Sequence, residues 1–162
     1  MAELSSKDLY QIRVTLADSK PPVWRRLIVP ESISLDELHM VIQSAMGWTN
    51  SHLYCFEKGG SRYGIKFEDD EFLDPVIKNS EGVPLKTLLR RENDKMLYEY
   101  DFGDGWEHTI LLEKTAPEMT SLPHIPACIK GAGTCPAEDS GGMWGYCKML
   151  EDARDVNNPE RE

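Results

Sequence analysis

The stretch 11-QIRVTLADSKPPVWRRLIVPESISLDELHMVIQSAMGW-48 decides the fold. Ile12, Val14 and Leu16 alternate with Gln11, Arg13 and Thr15, the period of two of a strand with one buried face. Asp18-Ser19-Lys20-Pro21-Pro22 turns the chain, and a return strand from Val23 to Val29 ends at Pro30, whose nitrogen cannot donate to a ladder. Ser34-Leu35-Asp36-Glu37 has the form of a capping box, with Ile33 and Leu38 placed as a hydrophobic staple, so a helix is expected from Leu35. Leu35, Leu38, Ile42 and Ala45 recur at three- and four-residue spacing, Val41 and Met46 widen the stripe, and Gly47 stands where a left-handed cap closes a helix. A hairpin followed at once by a helix resembles the opening of a β-grasp. The expected class is therefore α+β, a mixed sheet with helices packed on it and a loop-rich C-terminal region.

Outward from that core, strands at Leu53–Glu57 and Arg62–Phe67 flank the glycine turn Lys58-Gly59-Gly60-Ser61. Glu68–Glu71 reads as a solvated loop, Val83–Arg91 as a short helix with Leu85, Leu88 and Leu89 inward, and Gly145–Asp155 as a final helix. Nothing divides the 162 residues, so one domain is expected over 1–162 with its core at about residues 10–150.

The net charge of -10 is unevenly placed, with -1 over residues 1–91 and -9 over 92–162. A field of that sign repels phosphate backbones, which argues against nucleic acid over the C-terminal part. No apolar run reaches the ~18 residues of a membrane span, and MAELSSKDLYQ lacks the basic-then-apolar build of a signal peptide. These features predict a cytoplasmic protein, in which Cys55, Cys128, Cys135 and Cys147 are thiols or metal ligands rather than disulfides.

The chemistry concentrates at 96-MLYEYDFGDGWEHTILLE-113. Two strands around Gly103-Asp104-Gly105 pair Phe102 with Trp106, Asp101 with Glu107, and Tyr100 with His108 if Gly105 takes the left-handed place of a G1 bulge. Tyr98, Tyr100, Phe102, Trp106, His108, Ile110 and Leu112 then share a core face, where His108 is either a satisfied core histidine or a functional one. Glu99, Asp101 and Glu107 share the other face. Like charges opposite one another are destabilising, so solvent, Arg25, Arg26 or a cation should offset them.

Residues 115–147 carry four prolines and five glycines and read as an irregular, functional loop. Folded back over the Asp104 turn, it makes a crevice of Asp101, Asp104, Trp106, Glu107, His108, Glu138, Asp139, Trp144 and Tyr146. Cys128 and Cys135 could supply half of a tetrahedral zinc site completed by His108 or Asp139, or could be small buried hydrophobes. Mg²⁺ or Mn²⁺ held by Asp101, Asp104, Glu107 and His108 is the alternative metal chemistry. No phosphate-binding glycine loop, zincin helix or esterase elbow is present.

Several segments together resemble the plasmid pRiA4b ORF-three-like family: Pro22 to Arg26, Leu38 to Trp48, His52 to Phe56, Tyr100 to His108, and Cys135 to Tyr146. The resemblance implies an α+β domain and an association with plasmids and transposons, and it carries over no catalytic residue. Ser140 stands where relatives often have a third cysteine, which weakens a metal site in that loop. Three functions follow as expectations. The first is a non-enzymatic module binding a protein or peptide; the second is a metal-dependent hydrolase or nuclease at the Asp101–His108 turn. The third is a DNA-associated accessory of a mobile element, which needs Arg25, Arg26, Lys86, Arg90 and Arg91 on one face.

Overall fold

The computed structural model describes residues 5–67, 77–117, 124–137 and 141–143. Its centre is a mixed eight-stranded sheet with a single α-helix among the described residues. The strands are β1 (Leu9–Leu16), β2 (Trp24–Pro30), β3 (Tyr54–Lys58), β4 (Ser61–Gly64), β5 (Ile77–Asn79), β6 (Lys95–Tyr100), β7 (Trp106–Thr115) and β8 (Ala127–Ala132), and the helix is α1 (Leu35–Met46). They are ordered β5-β4-β3-β6-β7-β1-β2-β8, antiparallel except for β4 with β5.

The opening hairpin and helix form as the alternation predicts. Ile12, Val14 and Leu16 are buried, as are Leu35, Leu38, Ile42 and Met46 of α1, and Gly47 closes the helix at φ 77°. Burying these aliphatic side chains gains roughly 1.5–3 kcal/mol each and fixes which face of the sheet α1 covers. The capping box does not form. Ser34 makes no side-chain cap bond, and its hydroxyl serves the Asp36 carboxylate instead. The reason is tertiary: the Leu35 N–H donates to Val83 O (2.9 Å) and the Leu85 N–H to Ile33 O (2.8 Å), so the chain at 83–85 binds the helix entry as a short bridge.

That bridge also explains why Val83–Arg91 is not the expected helix but one 3₁₀ turn, Leu85–Thr87. Leu85 and Leu89 are buried, Leu88 partly, while the Asp94 carboxylate accepts the amides of Arg90 and Arg91 and draws the chain away from helical geometry. The glycine hairpin forms around Gly59 and Gly60, both at positive φ, but its second strand ends at Gly64 rather than Phe67. Part of the supposedly irregular segment 115–147 is the edge strand β8, which pairs along β2 with a bulge between Lys130 and Cys128. The stretch Glu68–Glu71 and the expected helix at Gly145–Asp155 lie outside the described residues. No described helix is long and apolar enough to cross a membrane.

Candidate functional site

The expected hairpin turn is displaced by two residues on β6. Tyr98, not Tyr100, stands opposite His108, Tyr100 opposite Trp106, and Glu99, not Asp101, opposite Glu107. Because the shift is even, each strand residue keeps its face, and Tyr98, Tyr100, Trp106, His108, Ile110 and Leu112 are all buried. The cause is Asp101. It leaves the strand at φ 59°, its Oδ1 accepts the amides of Gly103 (3.1 Å) and Asp104 (3.3 Å), and its carbonyl accepts the Gly105 N–H. The loop therefore spans 101–105, and Phe102, expected in the core, is exposed. Asp101 Oδ2 faces His52 Nε2 at 3.5 Å.

His108 lies fully inside the core. Its Nδ1 faces Tyr98 O at 3.2 Å, which places the ring proton on Nδ1, while Nε2 is buried without a partner. Burial lowers its pKa to about 4, so the ring is neutral at physiological pH. Glu107 projects from the opposite face beside Glu99, whose pKa is raised by burial and then by Glu107. The cation that tempers this acidic face is Arg62, cross-strand from Glu57, and not Arg25 or Arg26. Thus His108 cannot share a metal with Glu107: the sheet separates them.

Trp106 stacks on Trp48 with centroids 5.5 Å apart, and both indole N–H groups are buried without acceptors. Asp104 receives the Gly141 N–H on Oδ2 (3.3 Å), and a Cβ at Gly142 would stand 2.5 Å from Asp104 O. The described residues 141–142 therefore do pack on the turn, as the folded-back loop requires. Glu138, Asp139, Trp144 and Tyr146 lie outside the described residues.

The two cysteines engage different neighbours. Cys135 Sγ lies 3.1 Å from Arg25 Nη2 and 3.8 Å from Met46 Sδ, and burial raises its pKa. Cys128 is exposed on β8. Among the described residues no group of three or more His, Cys, Asp or Glu could hold a metal ion, so zinc on Cys128, Cys135 and His108 has no geometric support.

Two features escape a reading by hydrophobic period. His39 and Gln43 sit one turn apart on the buried face of α1. His39 stacks on Tyr54 (3.6 Å between centroids), its Nε2–H faces Asn50 Oδ1 (2.6 Å), and its Nδ1 accepts from the Tyr98 hydroxyl (2.7 Å). Gln43 Nε2 donates to the same hydroxyl at 3.0 Å and Gln43 Oε1 accepts the Asn50 N–H at 2.8 Å. This closed network bolts α1 and the loop after it to β6. It leaves no free acid or base, so its role is positional.

The second feature is a groove. Met40, Val41, Ser44 and Ala45 of α1 face Leu27 of β2 and Pro126, Ala127 and Cys128 at the start of β8, enclosing about 430 Å³ open on one side. Met40 is half exposed. Next to it, and sharing Cys128, an open depression runs along β8 over Arg25 and residues 129–134. Because β8 ends the sheet, one of its edges has no neighbouring strand among the described residues.

The model of the family described as Plasmid pRiA4b ORF-3-like protein matches residues 8–162. The chain is 42% identical over 146 residues to "Uncharacterized protein y4hQ" of Sinorhizobium fredii (strain NBRC 101917 / NGR234), covering 88% of this chain and 73% of that protein. It is also similar to the crystal structure of "Protein of Unknown Function MM3350" from Methanosarcina mazei Go1, with a TM-score of 0.80, 31% identity, and coverage of 94% of this chain and 84% of that one. The chain belongs to the plasmid pRiA4b ORF-3-like family.

Proposed function

We propose that this domain is a non-enzymatic docking module that takes an extended peptide segment of a partner protein in the groove between α1 and β8. The observation that carries this reading is the groove itself: an open, apolar cleft of about 430 Å³ beside a sheet edge that has no neighbouring strand among the described residues. Met40, Val41, Ala45 and Cys128 offer soft, adaptable cover for a partner's aliphatic or aromatic side chain, the strand edge offers main-chain donors and acceptors, and peptide-recognition domains use both. The bulge and Lys130 on β8 guard that edge against indiscriminate pairing, which favours a partner chosen through side chains.

The competing chemistries draw less support. Of the carboxylates proposed for a hydrolase, Asp101 is engaged by its own turn, Asp104 meets Gly141, and Glu107 lies across the sheet from His108. For nucleic acid, Arg25 turns toward α1 while the neighbouring Arg26 turns to Glu113 on the other face (2.7 and 3.1 Å), so these two basic residues do not share one surface. Free thiols at Cys55, Cys128 and Cys135 support a reducing compartment such as the cytoplasm.

The test is selection of peptides from a random display library on the intact protein, followed by binding to Met40→Glu and Ser44→Glu variants, both at exposed helix positions that fold need not sense. Selected peptides should carry a large apolar residue and lose at least tenfold in affinity for either variant. Peptides that bind both variants as well as the parent would overturn the reading.

A further inference from the structure

We infer that the sheet face turned away from α1 binds single-stranded nucleic acid, with its phosphates laid along a row of cations that crosses the strands. Strand register sets the row. Lys95 of β6 stands opposite Leu111 of β7, Leu111 opposite Arg13 of β1, Arg13 opposite Arg26 of β2, and Arg26 opposite Lys130 of β8. Residues directly opposite one another share a face. The α1 side is the other one, where Leu27 meets Cys128 beyond the β8 bulge and both line the groove. The cation row is therefore separate from the docking groove and stands or falls without it.

Like charges directly opposite in a ladder are destabilising, yet Arg13, Arg26 and Lys130 occupy three adjacent strands in one line. Glu113 is the carboxylate that meets this line among the described residues, at 2.7 Å from Arg26 and 3.8 Å from Arg13. Four cations against one carboxylate leave the row a positive surplus, in a chain of net charge -10. Four strand spacings of about 4.8 Å put its ends about 19 Å apart, a length that suits a run of phosphates rather than one small anion.

The neighbouring row favours nucleic acid over other polyanions. Two residues along each strand, Leu97, Thr109, Thr15 and Trp24 stand opposite one another in turn. Thr15 and Thr109 line a depression of about 310 Å³ together with Arg13 and Lys95, and hydroxyls beside cations are common phosphate donors. Trp24 is partly exposed and carries the Arg26 guanidinium over its ring at 5.2 Å, a platform of the kind on which an unpaired base stacks. A duplex keeps its bases inside and cannot use that ring. On the same face Glu99 and Glu107, opposite each other, and Asp18 at the rim of the depression repel phosphate and confine the strand to the basic row. Arg25, Lys86, Arg90 and Arg91, expected from the sequence to serve DNA, have no place in it.

The experiment uses the full chain and a fluorescein-labelled oligothymidine of about twelve nucleotides, followed by anisotropy from about 20 to about 200 mM salt. For single strands the logarithm of affinity falls with the logarithm of salt by about 0.7 per phosphate neutralised, so three to four contacts predict a slope of about -2 to -3. Lys95→Gln and Lys130→Gln, at exposed positions near the two ends of the row, should each weaken binding at least threefold and flatten the slope by about 0.7. Lys86→Gln, an exposed cation off the row, should change neither. Trp24→Leu should weaken the oligonucleotide but not inorganic polyphosphate. Absence of binding at low salt would overturn the inference, as would a Lys86→Gln effect equal to those at Lys95 and Lys130. A duplex or inorganic polyphosphate that binds as tightly as the single strand would overturn it too, because unpaired bases would then play no part.

Discussion

Acid should destabilise this protein through His108. In the folded state the ring is fully buried, with Nδ1 on Tyr98 O, Nε2 unpartnered and a pKa lowered to about 4, whereas in the unfolded chain it returns to 6.5. Between those values the unfolded state binds the proton and the folded state does not. Stability is therefore fully present above about pH 6.5 and is lost as pH falls toward 4, at about 1.4 kcal/mol per pH unit and about 3 kcal/mol in all. His39, also lowered by burial, adds to the loss in the same direction. The perturbation that isolates His108 is His108→Leu, which keeps an apolar filler of similar size and removes the titration. Urea unfolding followed by tryptophan fluorescence at half-unit steps from pH 7.5 to 4 should give a variant within about 1 kcal/mol of the parent at pH 7 and less steeply acid-sensitive, so that the two curves converge and cross toward pH 4. Glu113 and Asp36, whose pKa values are lowered by Arg26 and by Ser34, lose their contributions equally in both proteins. Parallel curves over the whole range would refute the argument.

Other perturbations follow from the same packing. Trp106→Ala should cost about 3–5 kcal/mol, as truncation of a buried large aromatic does, and a loss below about 1 kcal/mol in urea unfolding would contradict its stack on Trp48. Glu99→Gln should stabilise the protein at pH 7 by a few tenths to about 1 kcal/mol by removing a carboxylate opposite Glu107; because the folded pKa of Glu99 is raised, the gain should fade as pH drops through it. Tyr98→Phe should cost about 2 kcal/mol or more, since it strands His39 Nδ1 and Gln43 Nε2 without their common partner, and thermal unfolding reads the loss.

The sequence was legible where the determinant was local and periodic. Ile12, Val14 and Leu16, and the stripe from Leu35 to Met46, declare their elements because a period of two or of three to four has one structural meaning. The faces of Tyr98, Trp106 and His108 were readable for the same reason, although the register was not. Asp101 looks like a strand residue until its carboxylate finds two amides in its own turn, and nothing but the three-dimensional turn reports that. His39 and Gln43 escape detection because polar residues on an apolar stripe read as surface. Their partner Tyr98 is 59 and 55 residues away, and only burial of all three makes the pattern intelligible. β8 was hidden by its exposure: an edge strand with Lys130 and Gly131 carries no buried alternation to detect. The groove combines that strand with a helix some eighty residues earlier, so neither segment announces it alone.

The central claim is the place of docking. Amide chemical-shift mapping of the isotopically labelled full chain, titrated with a peptide selected on the intact protein, tests it most directly. The account predicts shifts concentrated on Met40–Ala45 and Ala127–Ala132, saturating with a single dissociation constant. Shifts confined to the Asp101–Trp106 turn and the Trp48 loop, with α1 and β8 unmoved, would contradict it.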